Sequence, residues 1–453
     1  MDLSNKRVLV CGMARSGIAA AKLLAKLGAQ VTISDMKDEA SFGDSLDELR
    51  ALSCVFALGE GPEAHISGQD IMVISPGIAY AKPFVQQALR EGVEVIGELE
   101  LGARVMRGGL CAITGTNGKT TTTTLVGEMM RAWGKRTHVV GNIGYPITAD
   151  ALESTQEDVS VAEVSSYQCE TISSFHPHVG AVLNISEDHL ARHGDMATYV
   201  AMKRRIFARQ TAQDYAVFNY DDETCRDMAK GLAAKIVWFS RTQQVPCGAC
   251  VRDGEIVFAL EGEESAVCPA DEVFIPGPHN LENALAAVAV AGAMGVPCGV
   301  MAQVLRTFRG VEHRIEPVRT LDGVTWINDS KGTNVDSTLK AIATMTRPTV
   351  LILGGSDKKT NFDPLAQAIA DAPQIVYCVL IGDTAQQIAQ SLIRAGVQEF
   401  THAGYDFDAC LALCRERAQE GGCVLLSPAC ASFDMFRDFE HRGEVFKEKV
   451  AAL

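Results

Sequence analysis

Between an apolar run at 110–113 and a helical pattern reaching Trp133 stand Thr114-Gly115-Thr116-Asn117-Gly118-Lys119-Thr120, followed by four more threonines from Thr121. A strand-turn-helix junction of this kind aims backbone N–H groups and the positive end of a helix dipole at one point, which suits a phosphate. Lys119 adds a full positive charge and Thr120 a hydroxyl able to ligate Mg²⁺. Ile113, not glycine, stands five residues before Gly118, so the run departs from the common G-x-x-x-x-G-K-[ST] spacing while keeping its chemistry. The bland alternative is a glycine-rich turn with a surface lysine, and the placement between strand and helix argues against it.

Other segments carry groups that phosphoryl chemistry needs. Glu163 lies in the apolar run 159–164, where a doubly wound sheet would bring its carboxylate toward the phosphate turn to hold a metal. Asn184-Ile185-Ser186-Glu187-Asp188-His189 ends another strand; His189 is a candidate metal or substrate contact, although a single histidine is more often structural. Gly12-Met13-Ala14-Arg15-Ser16-Gly17 outlines a dinucleotide turn with Ala14 where the second glycine would stand, which points away from NAD and toward a related nucleotide turn. Asp35 ends the second strand, where an acidic residue often meets a ribose or base. Cys247 and Cys250 form a C-x-x-C without a second pair at zinc spacing, and the segment reads as a loop. Cys430 has no histidine partner identifiable by pattern and reads as packing.

Positioning these groups requires parallel sheets, and β-branched runs do alternate with helical patterns along the whole chain. The fold predicted is α/β in three domains: Rossmann-like at 1–97, a central P-loop-type ATPase domain at 98–310, and Rossmann-like again at 311–453. The first holds strands at 8–10, 31–34 and 71–74 with helices at 18–27 and 84–90. The second holds a helix at 98–106, strands at 110–113, 159–164, 179–185 and 215–219, irregular β-structure over 236–273 and a helix at 281–293. The third holds strands at 316–320, 325–328, 350–353, 376–381 and 424–426.

A net charge of −15 over 453 residues argues against non-specific binding to nucleic acid or an anionic membrane, so anionic substrates would need particular lysines and arginines. Fourteen cysteines, several inside apolar runs, fit a reducing compartment, and a cytoplasmic protein is expected. The N-terminus runs directly into a strand pattern with no signal-peptide outline. The apolar stretch 284–300 is interrupted by glycines and a proline and reads as a buried helix, not a membrane span.

The order of these motifs resembles the Mur ligase family, which shares the short form G-T-N-G-K-T with the folylpolyglutamate synthetases. The resemblance runs from Gly12 to His441-Arg442-Gly443, and its most discriminating stretch, Ser427-Pro428-Ala429-Cys430-Ala431-Ser432-Phe433-Asp434 with Phe439, is similar to the branch that adds D-glutamate. It implies an ATP- and Mg²⁺-dependent ligase joining D-glutamate to UDP-N-acetylmuramoyl-L-alanine through an acyl phosphate; a monomer is expected, and the charge and apolar pattern above predict no nucleic-acid partner and no membrane span. For ATP it implies Gly115, Thr116, Asn117, Gly118, Lys119, Thr120 and Thr121, with Asn283 at the adenine and Arg314 and Asp329 from the third block. For the UDP substrate it implies Arg15, Ser16, Asp35, Gly77 of the Ser75-Pro76-Gly77-Ile78 turn, Asn142 and His189. D-Glutamate would meet Thr333, Lys358, Ser432 and Phe439. Metal would be held by Thr120, Glu163, His189 and Lys203, the last as a carbamate, and the catalytic group would be Lys119, His189 and Lys203. A folate ligase would lack the first block, and the Asp-Asn-Pro-Arg motif usual in the diamino-acid ligases is absent. A regulatory nucleotide-binding module is the alternative from another class.

Overall fold

The computed structural model describes residues 3–42, 45–356 and 360–453, except for the side chain of Ser45. Three sheets follow one another along the chain. The first contains β1 (Arg7–Cys11), β2 (Gln30–Asp35), β3 (Val55–Leu58), β4 (Ile71–Ile74) and β5 (Glu94–Gly97), all parallel, in the order β3-β2-β1-β4-β5. Side chains alternate across it: Val8, Val10, Val31 and Ile33 pack on one face with Leu24, while Leu9, Cys11, Met72 and Ile74 pack on the other with Val85. Both faces are covered, which is why these strands read as continuous apolar runs.

The second sheet is formed by β6 (Gly109–Thr114), β7 (Thr137–Gly141), β8 (Val159–Glu163), β9 (Val179–Val182), β10 (Tyr215–Asn219), β11 (Lys235–Ser240), β12 (Gly248–Arg252), β13 (Glu255–Leu260) and β14 (Glu263–Pro269), ordered β14-β13-β12-β11-β10-β9-β6-β8-β7. Its strands pair in parallel up to β12, after which β12, β13 and β14 form antiparallel hairpins. The segment expected to be irregular over 236–273 is therefore regular sheet. Asp253-Gly254 and Glu261-Gly262 turn these hairpins with positive φ at both residues, as two-residue turns between right-twisted strands require. Cys250 is a buried residue of β12 rather than part of a loop. The strand expected over 179–185 leaves the ladder after Val182, because Leu183 and Asn184 bond the phosphate turn instead.

The third sheet holds β15 (Glu316–Leu321), β16 (Val324–Asn328), β17 (Thr349–Gly354), β18 (Ile375–Ile381), β19 (Phe400–Gly404) and β20 (Cys423–Leu426), in the order β15-β16-β20-β17-β18-β19 with only β15 antiparallel. Leu351, Leu353 and Leu425 pack on one face, and Val350, Ile352, Val424 and Leu426 on the other.

The chain forms two compact units, Met1–Phe274 with Asn280–Phe308, and Ile275–His279 with Arg309–Leu453. The first contains two sheets: the helix Glu98–Val105 starts at the residue after β5, and its Leu101 packs with Ala151 into the core of the first sheet. All fourteen cysteines are free thiols. Among the described residues no helix is long and apolar enough to cross a membrane.

Candidate active site

The phosphate turn leaves the C-terminal end of β6 and enters the helix Lys119–Ala132. Gly118 caps that helix at φ 83°, a left-handed conformation that costs a non-glycine residue about 1–2 kcal/mol. A Cβ at Gly118 would also collide with Asn283 Oδ1, and one at Gly115 would stand 3.0 Å from Leu183 Cβ. Positive φ at both, 149° at Gly115 and 83° at Gly118, adds backbone strain to the crowding that any side chain there would meet. Asn184 fixes the turn from the end of β9: its backbone carbonyl accepts Thr116 N–H at 2.9 Å, its Oδ1 accepts Asn117 N–H at 2.8 Å, and its Nδ2 donates to Asn117 O at 3.1 Å. Thr116 Oγ1 adds contacts of 3.1 Å to Ser186 O and to the Tyr199 hydroxyl. Lys119 Nζ folds over the turn, donating to Gly115 O at 3.0 Å and Thr116 O at 2.7 Å. Thr120 is buried; Thr121 Oγ1 is buried without a hydrogen-bond partner, as are those of Thr122 and Thr123.

Glu163 ends β8 in register with Ile113 of β6 and Gly141 of β7, at the same end of the sheet as the phosphate turn. Asn142 reaches it twice, with Nδ2 donating to Glu163 Oε1 at 2.8 Å and its backbone N–H to Glu163 O at 2.9 Å. Lys203, on the helix Met196–Arg204, is buried to 1% exposure and donates to Gly115 O at 2.8 Å. Its Nζ lies 4.7 Å from the centre of the Tyr199 ring. Burial, followed by the charge of Lys119, pulls the Lys203 amine from 10.5 to about 7, with Glu163 among the weaker opposing charges. His189 is held in the left-handed region at φ 55°; its Nδ1 lies 2.9 Å from the Tyr167 hydroxyl and its Nε2 3.4 Å from Asp188 Oδ2. Burial lowers its pKa and favours the neutral ring.

Among the described residues no three His, Cys, Asp or Glu side chains converge in the manner of a metal site. The Glu163 carboxylate and the Thr120 hydroxyl are nevertheless hard oxygen donors of the kind Mg²⁺ prefers, and a carbamate on Lys203 would be a third.

In the first sheet the strand order reverses between β1 and β4, the crevice where such sheets bind ligands. Gly12 and Ser75 meet there, with Ser75 Oγ donating to Gly12 O at 3.3 Å. Asp35 accepts from Met13 N–H at 2.7 Å and Lys37 N–H at 2.9 Å, so it shapes the glycine turn whatever else it binds. Arg15 and Gly77 are exposed and Ser16 half-buried at this end of the sheet.

In the second unit, Arg314 sits between two non-glycine residues in left-handed conformations, His313 at φ 64° and Ile315 at φ 46°, and its buried Nε has no hydrogen-bond partner. Strain of this kind is characteristic of functional loops. Asp329 is fully buried, which raises its carboxyl to about 6 against the pull of Arg314 and of Ser427 Oγ at 2.7 Å. Thr333, Ser432 and Phe439 lie on segments that follow the adjacent strands β16 and β20. Ala429 N–H joins the two segments by donating to Gly332 O at 2.8 Å, and Ser330 Oγ donates to Phe439 O at 2.8 Å. Lys358 lies outside the described residues.

The chain matches three family descriptions in order: Mur ligase MurD-like, N-terminal domain, over residues 6–97; Mur ligase middle domain over 113–291; and Mur ligase, glutamate ligase domain, over 313–430. It is 44% identical over 452 residues to the UDP-N-acetylmuramoylalanine–D-glutamate ligase of Pelotomaculum thermopropionicum, covering 100% of this chain and 99% of that one. It is 43% identical to the enzyme of the same name from Clostridioides difficile, covering 100% of both. The chain belongs to the Mur ligase family. Its fold is also that of the UDP-N-acetylmuramate-alanine ligase of Thermotoga maritima, with a TM-score of 0.61, 19% identity and 99% of both chains covered.

Seen as a Mur ligase, the chain brings Lys119, Thr120, Glu163, Asn142, Lys203 and Asn283 together around one turn. Arg314, Asp329, Thr333, Ser432 and Phe439 belong to the other unit. Sequence reasoning missed Asn184 and Tyr199 as supports of the turn, and Arg442. Arg442 is fully buried, and its guanidinium bonds Ser330 Oγ at 2.9 Å, Ser330 O at 2.7 Å and Cys430 O at 3.2 Å, tying the segments after β16 and β20 together. The only sequence signal for it was an arginine in the otherwise unassigned His441-Arg442-Gly443.

Proposed function

We propose that this Mur ligase joins D-glutamate to UDP-N-acetylmuramoyl-L-alanine with hydrolysis of ATP to ADP and phosphate, a step of peptidoglycan precursor synthesis. The observation that carries the reading is the convergence of Lys119, Lys203 and Glu163 on the phosphate turn, in a chain 44% identical over its full length to a ligase of that name. A carboxylate and an amine do not condense unaided, so the acid must first become an acyl phosphate. Lys119, unfolded from the carbonyls of Gly115 and Thr116, would neutralise the γ-phosphate as the substrate carboxylate attacks it in line. The amine of D-glutamate then attacks the acyl carbon and expels phosphate.

Mg²⁺ would be held by Thr120, Glu163 and carbamylated Lys203, with His189 beside them, and would offset the phosphate charge. Gly115, Thr116, Asn117, Gly118 and Thr121 supply the turn around the phosphates, and Asn283, already against Gly118, reads the adenine. Arg15, Ser16, Asp35, Gly77, Asn142 and His189 are assigned to the UDP substrate. In the second unit Arg314 and Asp329 are assigned to the nucleotide, and Thr333, Lys358, Ser432 and Phe439 to D-glutamate.

The test is phosphate release by the purified protein from ATP and UDP-N-acetylmuramoyl-L-alanine across a panel of amino acids. Release with D-glutamate alone of the panel is expected; release with L-alanine or a diamino acid in its place would overturn the assignment.

A further inference from the structure

Arg192 lies three residues after His189, on the short helix Leu190–His193 that opens at that strained position. Its guanidinium reaches across 114–116 positions of sequence to three consecutive carbonyls: Ile78 O at 2.8 Å, Gly77 O at 3.3 Å and Pro76 O at 3.5 Å. These belong to the turn that leaves β4, and that turn is itself closed by Ile78 N–H on Ser75 O at 2.9 Å. Glu170 orients the fork from behind, accepting from Arg192 Nε at 2.8 Å and Nη2 at 2.7 Å, and also accepts Tyr80 N–H at 3.3 Å. Arg192 stacks 4.9 Å from the centre of the Tyr167 ring, whose hydroxyl lies 2.9 Å from His189 Nδ1. One unbroken set of contacts therefore runs from the turn of the first sheet, through Arg192 and Tyr167, to the imidazole of His189, three residues past Ser186, whose N–H bonds Thr116 of the phosphate turn at 3.0 Å.

We propose that Arg192 is a positioning residue for the UDP-bearing substrate: it fixes the 76–78 turn relative to His189, so that holding the nucleotide end of the substrate also places its carboxylate for phosphorylation. The inference rests on the function proposed above. A planar fork of donors is needed for this, because one side chain must bond two carboxylate oxygens and several carbonyls in different directions. Lysine supplies the charge and a single point of attachment, and so should fail at the same task. Glu170 acts one step further back, by orienting Arg192.

The experiment measures dissociation constants of UDP-N-acetylmuramoyl-L-alanine and of ATP separately by calorimetry, with thermal melts alongside, for the full chain and for Arg192→Lys, Arg192→Ala and Glu170→Gln. Arg192→Lys and Arg192→Ala should weaken the UDP substrate by about tenfold or more, near 1.4 kcal/mol, with ATP unchanged to within about twofold. Glu170→Gln should shift the UDP substrate in the same direction by less. If Arg192→Ala does not fold, Arg192→Lys decides. Wild-type affinity for the UDP substrate in Arg192→Lys, or equal weakening of both ligands, would overturn the proposal. A wild-type protein that binds UDP-N-acetylmuramoyl-L-alanine but ligates no D-glutamate would sink the functional reading while leaving the role of Arg192 open to the same measurement; one that does not bind it sinks both.

Discussion

Replacing Lys203 tests the chemistry of the phosphate turn most sharply. An amine must be neutral to take up CO₂, and burial together with Lys119 brings this one from 10.5 to about 7. At pH 7.5 an ordinary lysine is neutral in about one molecule in a thousand, whereas at a pKa of about 7 it is neutral in roughly three of four. The fold thus makes the reactive form hundreds of times more abundant, on the order of 10²–10³. The sign follows from the lowered value: below pH 7 the amine protonates and carbamate formation is suppressed. Lys203→Arg keeps a cation but cannot supply a carboxylate, and Lys203→Ala supplies neither. Both should lose roughly two to three orders of magnitude in kcat, the usual loss on deleting one group that stabilises transition-state charge. Formate or acetate should partly restore Lys203→Ala. The assay is steady-state ligation in CO₂-depleted buffer with and without added bicarbonate, with ¹³C NMR of wild-type protein in labelled bicarbonate. Near-wild-type activity in Lys203→Arg together with no carbamate signal would refute the reasoning.

Lys119→Ala should abolish ligation while leaving binding of the UDP substrate intact, as calorimetry would show; loss of both would mean that the phosphate turn and the nucleotide crevice of the first sheet are not separate. Lys358→Ala should raise KM for D-glutamate several-fold more than KM for ATP, and equal effects would remove Lys358 from the acceptor site. Glu98 is buried beneath Thr148, and burial raises its carboxyl from 4.5 to about 7 against two hydrogen bonds of 2.8 and 2.7 Å. The folded protein keeps this proton where the unfolded chain has lost it, so stability falls as pH rises from about 4.5 through 7 and levels off above, by about 3 kcal/mol at most. Glu98→Gln should flatten that slope in urea titrations, and an unchanged slope would mean that Glu98 is not its source.

The phosphate turn was legible because its glycines, lysine and threonines are consecutive and sit between a recognisable strand and helix. What braces the turn was not. Asn184 and Tyr199 reach it only after β9 and the helix Met196–Arg204 are folded against β6, so spacing carries no trace of the contact. Asn142 was expected at the UDP substrate, and the structure bonds it to Glu163, a pairing that depends on β7 lying beside β8. Asp253-Gly254 is a readable hairpin signal, whereas Glu261-Gly262 is not among the usual two-residue turn pairs, and the flanking segments lack strict alternation. The helix expected from 281 begins at Pro278, so Asn280 lies inside it, where its Oδ1 accepts from Asn283 Nδ2 at 3.3 Å. The β-runs announced a sheet in each of the three blocks but not that two of them form one compact unit, which depends on Leu101 and Ala151 of the second block packing into the core of the first sheet.

The central claim is that the chain activates a carboxylate by phosphorylating it. UDP-N-acetylmuramoyl-L-alanine labelled with ¹⁸O in its carboxylate should transfer one labelled oxygen to inorganic phosphate for each D-glutamate ligated, because that oxygen bridges carbon and phosphorus in the acyl phosphate and leaves with the phosphate. Ligation with no label in the phosphate would contradict the account.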